Sequence, residues 1–365
     1  MQFIFILFFS LFLIFRNVES RVAPIDAKTN CFQAPNVCPN ENIQYWLYTR
    51  NDQQIGTELN LQNNTDLSQQ LLPCKDKQIK IIVHGYTGNR NDTLNIPMRK
   101  AFFQFGNFCV ISVDWSKISV PGCALTSAKN CRVVGNCTAN LIDKMTHSIG
   151  IKLEDIHVIG HSLGGQAVAF ISLKDGEKVS HITSLDPALS SFETSDLSQR
   201  LDPTDGKWVE VYHTSADSHS FIDPVGHIDF YWNDGKNQPG CEELDQIETS
   251  PGNDHSCSHN RAFEYYYLSL YPGIEFYGEK CEFEGNLPLK NCNNETIIRA
   301  GYPVPQSSTG IYRVVTSDLS AVIRNLSEPI LSYNSGSQIS YYGGRYHVFL
   351  LMLLPLFIIF LNLPL

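Results

Sequence analysis

The chain has 365 residues, 43% of them hydrophobic, and a formal net charge of −10 at pH 7. That length leaves room for one sizeable buried core. Its acidity, with no basic cluster and no Lys/Arg stripe interleaved with aromatics, excludes a nucleic-acid-binding role.

The first segment, Phe3 to Phe15, is apolar save for Ser10 and is followed by Val18-Glu19-Ser20. An apolar run ending at a small residue has the form of a secretory signal peptide over 1–20, with maturation at Arg21, although no Lys or Arg precedes the run. Eleven cysteines, all between Cys31 and Cys292, suit an oxidising compartment, and their odd number leaves one thiol free or paired with another chain. Asn-x-Ser/Thr sequons at Asn63, Asn91, Asn136, Asn294 and Asn325 point the same way.

Short β-branched or apolar runs predict strands at Ile79–Val83, Val110–Val113, Ile156–Ile159, Ile182–Leu185 and Val209–Tyr212. Helical apolar spacing falls between them, at Leu94–Phe105, Val133–Ile149 and Gly164–Leu173. Such alternation predicts an α/β fold: a mostly parallel central sheet flanked by helices, with its chemistry at the carboxyl ends of the strands.

The strand predicted at Ile156–Ile159 runs directly into Gly160-His161-Ser162-Leu163-Gly164. A serine between two glycines after a buried strand reads as a nucleophile elbow, where a sharp turn lifts the hydroxyl above the sheet. Such a serine needs a base, and the base needs an orienting carboxylate. Asp186 follows a predicted strand and precedes Pro187, a placement that plain turn chemistry also explains. Candidate bases are His213, His219, His227, His255 and His259. His259 stands beside Cys257 and ahead of a helix-like run from Arg261 to Leu270, which makes it the best anchored, with His255 next. Donors for an oxyanion are expected from the N–H of Leu163 and of Tyr86, the latter in the loop His84-Gly85-Tyr86 after the first predicted strand.

Toward the end, every residue from Val348 to Leu365 is apolar except Asn362, with Pro355 and Pro364 interrupting and no Lys or Arg following. Small residues Asn334-Ser335-Gly336-Ser337 and a mostly polar spacer precede it. Small site, spacer and apolar tail form the pattern of a GPI-anchor signal, an uncleaved tail being the alternative.

These motifs together resemble the animal neutral lipases, the pancreatic-lipase-like branch of the α/β-hydrolases. The resemblance spans about residues 45 to 315. It is carried by Tyr48-Thr49-Arg50, His84-Gly85-Tyr86, Val113-Asp114-Trp115, Val158 to Gly164 and Leu185-Asp186-Pro187-Ala188. It continues through Arg200-Leu201-Asp202-Pro203, Val211-Tyr212-His213-Thr214, Gly226 to Tyr231, Asn237 to Cys241 and Cys257-Ser258-His259. It implies an α/β-hydrolase domain over 21–319; a linker over 320–334 and the tail over 335–365 are expected to follow, and the C-terminal β-sandwich domain of the pancreatic type is not expected. By the same resemblance Ser162, Asp186 and His259 form the triad, and Tyr86 and Leu163 supply the oxyanion hole.

The family's lid lies between the cysteines matching Cys241 and Cys257. Here that segment is short, with Leu244 and Ile247 its only sizeable apolar residues. A short lid, with a short loop from Tyr231 to Cys241, is similar to the phospholipase A1 members. The resemblance therefore implies hydrolysis of lipid esters, preferably at the sn-1 position of a phospholipid. Triacylglycerol, diacylglycerol or galactolipid hydrolysis is the alternative, and a non-catalytic lipid-binding protein a more remote one. No cofactor is expected. Some relatives bind calcium through acidic residues matching Asp202 and Asp205 plus a glutamate, but Leu197 stands at the glutamate's position, and no metal is expected. Bridges are expected for Cys241–Cys257, Cys281–Cys292 and Cys31–Cys38; the sequence does not assign partners among Cys74, Cys109, Cys123, Cys131 and Cys137.

Overall fold

A computed structural model describes residues 26–216, 218–247, 257–327 and 339–340. The segment read as a signal peptide, the segment read as an anchor signal apart from 339–340, and His255 lie outside the described residues. The strands are β1 (Gln44–Thr49), β2 (Asp52–Glu58), β3 (Ile79–Val83), β4 (Cys109–Asp114), β5 (Ile156–His161), β6 (His181–Leu185), β7 (Val209–His213), β8 (Ile228–Trp232), β9 (Ile274–Glu282), β10 (Lys290–Ala300) and β11 (Gly310–Val314). The helices are α1 (Asn64–Leu71), α2 (Asn95–Phe105), α3 (Ala124–Asp143), α4 (Leu163–Ala167), α5 (Glu242–Ile247), α6 (Cys257–Leu268) and α7 (Ser320–Ser327).

One sheet orders these strands β10-β9-β11-β8-β7-β6-β5-β3-β4-β1-β2. Strands β3 to β8 pair in parallel, β11 joins β8 in parallel, and antiparallel partners close both flanks. The arrangement is the expected α/β-hydrolase fold. The chain leaves β3 for β4 on one side, then crosses back to place β5 on the other. That reversal makes a topological switch point between β3 and β5, where the loops beyond the strand ends part into a crevice.

Alternation along each strand builds two cores. Ile79, Ile81 and Val83 of β3, Val158 of β5 and Val209 and Val211 of β7 face a cluster that includes Cys131, Val134 and Leu141 of α3 and Ala167 of α4. Ile82, Ile159, Leu185 and Tyr212 point the other way, into an aromatic-rich cluster with Met98 and Phe102 of α2 and Phe263, Tyr265 and Tyr266 of α6. Side chains of period 2 along a strand require this split, because both faces are covered by helices. Residues 320–327, expected as the start of a linker, instead form α7. Its Ile323 is buried in the aromatic core, and Lys100 Nζ donates to Leu326 O at 3.0 Å. Among the described residues no helix is long and apolar enough to cross a membrane.

The bridges Cys241–Cys257 and Cys281–Cys292 form as expected. Cys31 does not pair with Cys38: it bridges to Cys123, and Cys38 to Cys137, while Cys74 joins Cys109. The reason is geometric. The N-terminal segment runs along α3, and seven residues of extended chain span about 23 Å, close to the ~21 Å that fourteen helical residues rise. Each early cysteine therefore meets a helix cysteine rather than its neighbour. Cys131 is left free and buried, donating from Sγ to Leu163 O at 3.3 Å.

Candidate active site

Ser162 sits where β5 gives way to α4, with φ 58° and ψ −122°, a backbone region costly for any residue with a side chain. The flanking glycines make the turn possible. A Cβ on Gly160 would lie 2.2 Å from Gly164 O, and one on Gly164 would lie 2.2 Å from Val83 O. The turn is pinned by Ser162 N donating to Leu185 O (3.1 Å) and by Ala188 N donating to Ser162 O (3.1 Å). Leu163 opens α4, so its N–H has no acceptor within the helix.

The loop after β3 closes on this turn: a Cβ on Gly85 would lie 2.8 Å from Ser162 Cβ. Its conformation is set by a histidine for which the sequence suggested no separate role. Trp115 N donates to His84 Nε2 (3.1 Å), so the ring proton is on Nδ1, which donates to Gly85 O (2.8 Å). Trp115 Nε1 donates to His84 O (2.9 Å), and its ring stacks on the imidazole at 5.3 Å. The amide plane joining Gly85 to Tyr86 carries its C=O and N–H in opposite directions. Holding Gly85 O on one side therefore fixes the aim of Tyr86 N–H on the other. The Tyr86 hydroxyl, in turn, accepts from Gly122 N (2.7 Å) and Cys123 N (3.1 Å).

Asp186 follows β6 with φ 50° and is fully buried. Five donors converge on it. Oδ1 accepts from Thr214 N (2.7 Å), Ser215 N (3.1 Å) and Ser220 Oγ (2.6 Å); Oδ2 accepts from Ser215 Oγ and from His259 Nδ1 (2.6 Å). Burial alone would raise its pKa, but the His259 bond and the serine hydroxyls outweigh that and hold the carboxyl well below the usual range. The carboxylate is therefore a fixed anion, and His259 donates to it through Nδ1, leaving Nε2 as the acceptor.

His259 is presented by the first turn of α6, whose start is tied down twice. The bridge Cys241–Cys257 closes beneath it, and Ser258 accepts from Gln238 N (2.9 Å) while its own N donates to Asp245 Oδ1 (3.1 Å). Two further imidazoles flank His259: His161, whose Nε2 bonds to His259 O (3.2 Å) with ring centroids 4.5 Å apart, and His219 at 5.3 Å. Burial and the neighbouring His259 push His219 down to about 4, so it is neutral at pH 7.

Gly85, Tyr86, Ser162, Leu163, Ala188, His219, His259 and Phe263 line one cavity of ≈ 230 Å³ at the switch point. The structure thus brings Ser162, His259 and both oxyanion candidates to one space, with Asp186 behind the base. Of the other candidate bases His219 shares this cavity, whereas His213 and His227 go elsewhere. His213 Nε2 bonds to Asp229 Oδ1 (2.9 Å) and its Nδ1 to Phe221 O (2.9 Å), a buried structural pair. His227 Nδ1 accepts from Val209 N (3.1 Å). Asp202 and Asp205 satisfy each other's backbone, Asp202 N donating to Asp205 Oδ2 (2.8 Å) and Thr204 N to Asp202 Oδ1 (2.7 Å). Among the described residues no three or more His, Cys, Asp or Glu are grouped to hold a metal.

Comparison with known proteins adds the family. The family profile described as Lipase matches residues 15–310. The chain belongs to the lipase family. Among its lipase relatives, "Pancreatic lipase-related protein 2" of Homo sapiens is 36% identical over 220 residues, 56% of this chain and 47% of that protein. "Phospholipase A1" of Polybia paulista is 32% identical over 282 residues, 72% of this chain and 84% of the relative. "Lipase member H-A" of Xenopus laevis is 32% identical over 254 residues, 69% and 54% respectively. The chain thus spans about half the length of the human and frog lipases and most of the length of the wasp phospholipase.

Proposed function

We propose that this protein is a secreted serine lipase that hydrolyses lipid carboxylic esters, preferably the sn-1 ester of a phospholipid. In this reading His259 Nε2 takes the proton of Ser162 Oγ as that oxygen attacks the acyl carbonyl. Asp186 holds the imidazole in the required tautomer and stabilises the imidazolium. The N–H groups of Tyr86 and Leu163 receive the oxyanion, the alcohol leaves with the proton from His259, and water then releases the fatty acid. The observation that carries the proposal is the shared cavity of Ser162 and His259, with the His259–Asp186 bond of 2.6 Å behind it.

The phospholipid preference is supported by three features. The segment closed by Cys241–Cys257 is short. The described part of it, α5, opens on Glu242 and Glu243 and exposes Leu244. The Polybia paulista relative, of which the chain covers 84%, bears the name phospholipase A1. We further propose that residues 1–20 are removed on secretion and that 335–365 direct a GPI anchor; release from cells by phosphatidylinositol-specific phospholipase C tests the anchor.

Purified protein incubated with phosphatidylcholine labelled separately at sn-1 and sn-2, and with triolein, tests the substrate. Release of the sn-1 chain is expected. Hydrolysis of triolein alone would replace this reading with a neutral-glyceride lipase, and no hydrolysis of any ester would leave a lipid-binding protein.

A further inference from the structure

Five sequons punctuate the chain, and the fold sorts them. Asn136 is half-buried on α3 and donates from Nδ2 to Asn36 Oδ1 (3.0 Å), Thr138 is buried, and Cys137 between them is bridged to Cys38. A sugar on that Nδ2 would leave it a single N–H and would crowd the segment that the bridge straps to the helix. Asn63, Asn294 and Asn325 are exposed, and none of them lines the cavity of Ser162.

Asn91 is exposed too, but its place is different. The residues after it, Asp92, Thr93 and Leu94, line the cavity together with Ser162 and His259. The loop that carries it is held firmly. Asp92 Oδ1 accepts from Leu94 N (3.1 Å) and Asn95 N (2.7 Å), and Oδ2 from Asn89 N (3.1 Å). Arg90 lies over the Trp46 ring at 3.6 Å and donates to Tyr48 OH (2.8 Å) and Ile55 O (3.1 Å). Asn91 contributes its backbone N–H to Asn89 Oδ1 (2.8 Å). A group attached to its side chain would therefore stand on a rigid base at the mouth of the cavity.

We propose that Asn91 carries an N-linked glycan that limits how closely this site approaches a packed lipid surface. The modification rests on the secretory reading above. In the secretory lumen Nδ2 loses a proton and forms a bond to the anomeric carbon of an oligosaccharide, whose bond to a polyprenyl pyrophosphate breaks to release that carrier. A branched polar chain cannot enter the acyl phase, so it obstructs docking on a bilayer while leaving the path open to a dispersed, soluble ester.

The test uses the full chain expressed in a secreting animal-cell host, with glycopeptide mapping of all five sequons. Rates are then measured on p-nitrophenyl butyrate, on phosphatidylcholine vesicles and on triolein emulsion. They are compared before and after native treatment with peptide-N-glycosidase, and for Asn91→Gln and Asn325→Gln. The expected result is a glycan at Asn91 and none at Asn136. Removing the Asn91 glycan should raise the rate on the hydrolysed packed lipid about threefold, with the butyrate rate unchanged and no effect of Asn325→Gln. A bare Asn91 beside an occupied Asn63 or Asn294 overturns the proposal alone. Five bare sequons overturn the secretory reading as well. An occupied Asn91 whose removal leaves the ratio of lipid to butyrate rates unchanged overturns the obstructing role.

Discussion

At the carboxyl edge of the sheet His259 and Asp186 share a hydrogen bond of 2.6 Å; at the opposite edge His181 and Glu210 share one of 3.2 Å, and both pairs are buried. The second pair belongs to a ladder across four parallel strands. Lys80 of β3 stands beside His157 of β5, and His157 beside His181 of β6, with Thr183 and Glu210 completing the row. The two imidazoles stack at 3.5 Å, His157 Nε2 bonds to Thr183 Oγ1 (2.8 Å), and Lys80 Nζ donates to Tyr302 OH (2.9 Å). Burial pushes Lys80 down to about 7 and both histidines down as well. The difference between the edges is access. His259 has its Asp186 bond on one nitrogen and shares a cavity with a serine on a strained turn, whereas the ladder is packed among Tyr302, Trp208 and Phe108. A buried histidine–carboxylate pair is thus a structural motif until a nucleophile and a space are added to it.

The comparison breaks most visibly at the serine. Ser162→Ala should lower kcat/KM by about 10⁵-fold or more without moving the thermal midpoint, whereas Glu210→Gln should leave kcat/KM of the folded protein within about twofold. Steady-state kinetics beside thermal melts check both. Next comes the carboxylate. Asp186→Asn should cost about 10⁴-fold in kcat by favouring the wrong imidazole tautomer. Asp229→Asn, which alters the other buried pair with His213, should cost about 1–3 kcal/mol of stability while kcat stays within about threefold.

The ladder should announce itself through pH. The folded pKa values of His157 and His181 are depressed, so below about 6.5 the unfolded chain binds protons that the folded one refuses. Stability is therefore present above that pH and lost as pH falls, by about 2 kcal/mol between pH 7 and 5.5 for the two groups. Asp186, with its folded pKa depressed, adds a further loss only at lower pH, as its unfolded carboxyl begins to protonate. Urea midpoints across that range for the wild type and for His157→Gln with His181→Gln should show the first slope and its flattening; an unchanged slope would contradict the assignment. The smallest effect is expected at Cys131. Burial raises its thiol pKa, so the native protein should resist thiol reagents, and Cys131→Ser should cost about 1 kcal/mol with little change in kcat.

Much of the sheet's centre was legible because its strands are β-branched runs buried on both faces, as Ile79–Val83 and Ile156–Ile159 are apart from Lys80 and His157. The flanks were not. β2 reads Asp-Gln-Gln-Ile-Gly-Thr-Glu and β10 is largely polar, because each is an edge strand facing solvent. The start of α3 was also hidden: Thr126, Ser127 and Asn130 are buried polar residues, and Asn130 is satisfied by the N-terminal strap through Ala34 N and Phe32 O and by the turn after β4 through Ile118 O. At the site, the glycine spacing around Ser162 is a local signal and could be read. The serines that hold Asp186, and the Trp115 that sets the tautomer of His84, come from distant loops and meet only in the fold.

The most direct measurement is covalent labelling with a fluorophosphonate, followed by peptide mapping. The account predicts one stoichiometric adduct on Ser162, slowed severely by His259→Ala and absent in Ser162→Ala. Labelling that persists in Ser162→Ala, or maps to another residue, would contradict it.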